Sequence, residues 1–161
     1  MSQKLQKISP FLWFDQQAEE AAKFYISIFP NSSITKIGRY TDAGPGPKGS
    51  VMTVAFQLDG QEFTALNGGP VFKFNEAVSF VVNCDTQQEV DHFWERLSQG
   101  GQIIECGWLK DKYGLAWQIV PRVLMEMIVD ADPAKVDRVM RAMMKMKKLE
   151  IAPLEKAYQE K

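Results

Sequence analysis

Histidine and cysteine are nearly missing from this chain. Its 161 residues include one histidine, His92, and two cysteines, Cys84 and Cys106. With no CxxC and no second cysteine pair, neither a disulfide framework nor a cysteine zinc site finds support. Both cysteines lie in apolar, strand-like segments and read as reduced, buried thiols. Charge of one sign is also lacking: 19 Lys and Arg face 20 Asp and Glu, a net charge of −1. A nucleic acid or a membrane surface is therefore not an expected partner. No apolar run approaches the ~20 residues of a membrane span. The stretch "MSQKLQKISPF" carries no signal-peptide core, so a cytoplasmic chain is expected. A phosphate loop is missing too. "TDAGPGPKGS" is dense in Gly and Pro, but Lys48 precedes Gly49, against the Walker order, and no helix pattern follows. A mobile loop between two strands is expected there.

What is present is the composition of a globular domain, 45% hydrophobic and 24% charged, with well-marked periodicities. "ISPFLWF" (8–14) predicts a strand with Pro10 at its start. Asp15 is placed to cap a helix over 17–29, whose Ala18, Ala21, Ala22, Tyr25, Ile28 and Phe29 recur at helical spacing. Residues 34–40 read as a strand. "VMTVAFQL" and "QEFTALN" flank the turn pair Asp59-Gly60 and predict a hairpin. The order then begins again. "AVSFVVNC" is strand-like. "TQQEVDHFWERLSQGG" is an amphipathic helix with Val90, Phe93, Trp94 and Leu97 on one face. "QIIECGWL" reads as a strand, "KDKYG" as a turn and "LAWQIV" as a strand. From Val129 a tail follows. Asp132-Pro133 caps a helix, and its stripe Val136, Val139, Met140, Met143 and Met144 needs burial on its own domain or a second subunit. "APLEKAYQ" adds one or two helical turns.

The second half repeats the first. Ile34 and Ile103 lie 103 − 34 = 69 apart, and the same shift pairs Gly38 with Gly107, Phe24 with Phe93, Tyr25 with Trp94 and Ile28 with Leu97. One register carrying helix, loop and strand argues for two copies of a βαβββ unit. Counting from Gly60 and Gly114 pairs Phe63 with Trp117 and Thr64 with Gln118.

Two such units resemble the vicinal oxygen chelate superfamily of glyoxalases, bleomycin-resistance proteins and extradiol dioxygenases. The strings "ISPFLWFDQQAEEAAKFYISIFPNSSI", "ALNGGP", "SFVVNC" and "DKYGLAWQIVP" are similar to its PhnB-like branch, which also carries the label 3-demethylubiquinone 3-methyltransferase. The resemblance implies an α+β fold: two βαβββ modules form curved mixed sheets around a cleft, followed by a C-terminal helical tail. It implies one domain over 5–125, with modules at 5–70 and 76–125, a helical extension at 129–161, and a homodimer.

In that superfamily, metal ligands come from the first and last strands of each unit. Carried over, the four corners are Pro10, Thr64, Ser79 and Gln118. Pro, Ser and Thr are poor partners for zinc or iron, so neither metal nor cofactor is predicted. Strand alternation from these corners sends Leu12, Phe14, Thr53, Gln57, Leu66, Val81, Ala116 and Val120 toward the cleft. It sends Phe11, Trp13, Phe63, Phe80, Val82, Trp117 and Ile119 under the helices. The ligand-binding candidates are Gln118, Ser79, Thr64, Gln57, Thr53 and Phe14, with Tyr113 and Trp108 at the rim. Catalytic residues are not identifiable. Such a cleft suits a small apolar or aromatic molecule. A glyoxalase-type lyase or isomerase with a metal, the methyltransferase of the label, and a ligand-free dimeric scaffold stay open beside it. So does a Gln118 that only satisfies its neighbours.

Overall fold

A computed structural model describes residues 6–160. Residues 1–5, the start of the "MSQKLQKISPF" stretch, and residue 161 lie outside it. The fold is α+β, with two open, four-stranded mixed sheets and C-terminal helices. The chain divides into two compact units, Met1–Lys73 and Phe74–Lys161.

Unit 1 holds β1 (Phe11–Phe14), α1 (Ala18–Ile26), β2 (Ser33–Arg39), β3 (Val51–Leu58) and β4 (Gln61–Asn67), in sheet order β1-β4-β3-β2. β1 runs parallel to β4, and the other pairs are antiparallel. The hairpin turn forms where the sequence put it: Asp59 and Gly60 both have positive φ, 46° and 78°, the geometry that matches strand twist. Helix α1 buries Ala18, Ala21, Ala22 and Tyr25. Tyr25 stacks on Phe56 at 6.2 Å and Phe56 on Phe63 at 5.4 Å. These rings identify the helix-backed face, where each large side chain contributes about 1.5–3 kcal/mol by burial.

Two expectations for this unit are corrected. Asp15 does not cap α1; the first helical N–H, of Ala18, donates to Asn67 Oδ1 at 2.8 Å. The faces of β1 are also reversed. Leu12 pairs with Ala65, two residues beyond Phe63 and on the same face, so Leu12 and Phe14 lie under α1, 5% and 3% exposed. Phe11 and Trp13 take the open face. The buried pair Leu12 and Phe14 matches Val82 and Cys84, a shift of 82 − 12 = 70, while the helices repeat at 69. Unit 1 has one more residue between strand and helix, and a one-residue slip exchanges the faces of a strand.

Unit 2 holds β5 (Ser79–Cys84), α2 (Gln87–Ser98), β6 (Gln102–Ile103), β7 (Trp108–Lys110) and β8 (Ala116–Pro121), in the matching order β5-β8-β7-β6. The Thr86 hydroxyl caps α2 by accepting from Glu89 N at 3.2 Å. "QIIECGWL" is two strands, not one. Cys106 and Gly107, with φ of 56° and 83°, turn the chain between β6 and β7. A tight turn therefore replaces the long loop that joins β2 to β3.

The tail adds α3 (Arg122–Met127), which the sequence reading left out, α4 (Pro133–Met143) and α5 (Ile151–Gln159). Asp132 caps α4 as expected, accepting from Ala134 N at 2.9 Å. A second core gathers Val120, Leu124, Met127, Val139, Leu149 and Leu154. The predicted α4 stripe is only partly inward: Met143 packs on this core, whereas Met140 and Met144 are 36% and 63% exposed.

Candidate functional site

The open face of the unit 2 sheet is set by one turn. Asp111, 3% exposed, is the buried charge that organises "DKYGLAW". Its Oδ1 accepts from Tyr113 N at 2.8 Å and Leu115 N at 3.1 Å, and its Oδ2 accepts from Trp117 Nε1 at 2.9 Å. The indole is thereby fixed on the α2 side, with Phe80 against it at 5.6 Å. Alternation then turns Gln118 to the open face. There Gln118 Nε2 donates to Ser79 Oγ at 2.9 Å. Val81, Gln118 and Trp108 form one row across three strands. Lys110, in the row of Ala116, ion-pairs with Glu76 at 2.8 Å. The hydrogen bond from Lys110 holds the Glu76 carboxyl below the ordinary range. Tyr113 lies in the turn itself, with the Lys112 ammonium 5.4 Å from its ring centroid.

The open face of the unit 1 sheet carries Thr53, Gln57 and Thr64, in register with Leu66, Glu62 and Ala55 respectively. Phe11 stands beside Thr64 and is 61% exposed. Trp13 stands beside Leu66; its indole donates to Gly69 O at 2.8 Å, and Phe72 meets it edge-on at 4.9 Å. Phe14 is not on this face, and Phe11 and Trp13 stand in its place. The residue equivalent to Ser79 is accordingly Ser9, not Pro10. Glu62, which the sequence reading passed over, accepts from Gln57 Nε2 at 2.9 Å. It sits two residues before Thr64, so the alternation that placed Leu66 was enough to find it.

A divalent metal does not fit these residues. The four corner positions hold Ser9, Thr64, Ser79 and Gln118, which offer no imidazole, thiolate or carboxylate. Among the described residues no three His, Cys, Asp or Glu side chains gather. His92 is exposed on α2, its ring against Phe93. Cys84 is no nucleophile: burial, then the charges of Glu89 and Asp85, push its thiol up to about 12.

The comparisons agree with this architecture. The 3-demethylubiquinone-9 3-methyltransferase family matches residues 6–120. The PhnB protein of Bacillus cereus is 41% identical, the match covering 72% of this chain and 99% of that one, with a TM-score of 0.66. Protein PA1353 of Pseudomonas aeruginosa is 20% identical over 72% and 97%, TM-score 0.60. The fosfomycin resistance protein FosX of Mesorhizobium loti is 11% identical over 80% and 100%, TM-score 0.56. These last two carry the fold alone. No curated protein matches. Paired βαβββ sheets with these neighbours define a vicinal-oxygen-chelate fold, and the chain belongs to the 3-demethylubiquinone-9 3-methyltransferase, or PhnB-like, family within it. The residues do not fit the S-adenosyl cofactor that the family's label implies. β1 leads through Asp15, Gln16 and Gln17 into α1 rather than through a Gly-rich turn. Each sheet has one parallel strand pair rather than a doubly wound series.

Proposed function

We propose that the protein is a metal-independent binder of a small aromatic or apolar molecule. The ligand is held on an open sheet face by stacking and by few hydrogen bonds. Each unit offers such a face by itself: Thr53, Gln57 and Thr64 in unit 1, and Ser79, Trp108 and Gln118 in unit 2. The observation that carries this reading is the Val81–Gln118–Trp108 row. It sets one carboxamide, oriented by Ser79, between an aliphatic and an aromatic side chain. Such a mixture of apolar surface and few polar groups suits a small ligand. The working form is a two-fold homodimer in which the C-terminal helices lie in or beside the interface.

Native mass spectrometry of the purified protein tests the reading, since it detects a retained small molecule, a metal and the subunit number together. A stoichiometric metal would overturn it. The partner experiment is Gln118→Leu. Retained or added aromatic ligand is expected to be lost, while stability moves by no more than about 1 kcal/mol, because the half-buried Ser79 hydroxyl can turn to water. Undiminished ligand binding by Gln118→Leu would remove Gln118 from the site.

A further inference from the structure

A cavity of ≈ 480 Å³ lies in unit 1, between the start of α1, the turn after β4 and the loop joining β2 to β3. None of the open-face candidates Thr53, Gln57 and Thr64 lines it, and its volume falls within the ~300–1,000 Å³ of small-molecule sites. Its wall is tied down. Tyr40 N donates to Ser50 O and Gly49 N to Tyr40 O, both at 2.9 Å. The Tyr40 hydroxyl donates to Asn67 O at 2.5 Å. Gly46 lies so close to the Tyr40 ring that a Cβ there would stand 2.4 Å from ring carbons.

The polar groups of the lining are mostly spent inside the protein. Asn67 accepts from Ala18 N and donates to Val51 O at 3.1 Å. Ser50 Oγ donates to Pro47 O at 2.6 Å. The exposed Gln16 carboxamide and two carboxylates remain. Glu19 meets Lys23 at 2.9 Å, one turn along α1. Asp15 is released from capping duty by Asn67. It is half-buried; its backbone carbonyl accepts from Gly69 N at 3.2 Å, but its carboxylate has neither a hydrogen-bond nor an ion-pair partner among the described residues. No lysine or arginine lines the cavity. A partly desolvated, unpaired carboxylate beside apolar walls favours an opposite charge. Two carboxylates fall short of the six or more oxygens that calcium requires.

We propose that this cavity binds a small organic monocation, an ammonium or guanidinium group on a compact apolar body. Asp15 receives the cation, and Tyr40, Pro45, Pro47 and Pro70 flank the apolar part. Calorimetric titration of the full chain with benzylammonium, benzyl alcohol and benzoate tests it, using the unaltered protein, Asp15→Asn and Gln118→Leu. Benzylammonium should bind saturably to the unaltered protein and at least tenfold more weakly to Asp15→Asn. It should bind equally well to Gln118→Leu, which separates this site from the sheet faces. Benzyl alcohol should bind at least tenfold more weakly than benzylammonium, and benzoate should not bind. Amide shifts in NMR spectra should move at residues 15–19 and 67–69, a localisation that holds even if Asp15→Asn folds poorly. The proposal is overturned by no saturable benzylammonium binding up to about 10 mM, by equal binding to Asp15→Asn, by shifts confined to other residues, or by competition from magnesium chloride at equal concentration.

Discussion

Asp111 shows how far a charged residue can depart from its usual surroundings when three donors meet it. Its two oxygens receive two backbone N–H groups and one indole N–H inside the protein, so its burial costs little. Asparagine has the same shape but one oxygen and one NH2 group. Whichever way the amide turned, a donor would face a donor. Asp111→Asn is therefore expected to lose about 2–3 kcal/mol of stability, read from the midpoint of urea unfolding. A loss below about 0.5 kcal/mol would mean that the carboxylate does not organise this turn. The sequence drew attention to Gln118 and passed over Asp111 for a physical reason. A charged residue in "KDKYG" looks like solvated turn, and only Trp117, six residues on, makes it interior. Asp15 misled in the opposite sense. An aspartate just before a helix reads as its cap, but the Ala18 N–H is claimed by Asn67 from another strand, a tertiary contact that no local pattern announces.

Among the elements, those with strong period or turn chemistry were legible: α1, α2, the Asp59-Gly60 hairpin, and α4 behind Asp132-Pro133. β1 was not, because "FLWF" is apolar on both faces and alternation has nothing to report. Its phase had to be borrowed from the helix repeat, and the extra residue between β1 and α1 reversed it. α5 is tied to the rest of the tail by a contact that the sequence also hid. The Tyr158 hydroxyl donates to Asp130 Oδ2 in a short bond, and the Lys135 ammonium sits 4.9 Å from the Tyr158 ring centroid. The bond from Tyr158, then that from Asp132 N, holds the Asp130 carboxyl below its ordinary value. The same bond raises the Tyr158 phenol. A depressed carboxylate stabilises the fold above its unfolded value of about 3.9 and ceases to do so as pH falls through the lower folded value. A raised phenol stabilises below about 10 and ceases to do so as pH rises through the higher folded value. The clasp is thus at full strength between about pH 5 and 9. Tyr158→Phe should speed hydrogen exchange of the α5 amides at pH 7, and the difference from the unaltered protein should shrink towards pH 3 and pH 11. A difference independent of pH would show that the ring's packing, not the hydrogen bond, holds α5.

For the whole molecule, the tail stands out because the family match ends at residue 120. The segment beyond it is integrated into unit 2. Cys106 N donates to Met146 O at 2.9 Å and Gly107 N to Lys147 O at 2.7 Å. The Gln87 amide bridges Leu149 O and Ile151 N, and Lys148 pairs with Asp91 at 2.7 Å. Yet it leaves Met125, Val129, Met140 and Met144 between 36% and 76% exposed. Apolar exposure of this kind on an otherwise well-packed helical layer suits a second copy of the chain, with two-fold pairing burying the same side chains on both copies. Light scattering of the full chain should then give twice 18.3 kDa. Met140→Glu with Met144→Glu should give a single chain, because two carboxylates per copy would be buried without partners. As both positions are exposed within the protomer, its helix content and thermal midpoint should change little. A full chain that scatters as a monomer at tens of micromolar, a concentration at which an interface of ordinary affinity is filled, or a double variant that remains a dimer, would take the tail out of the interface.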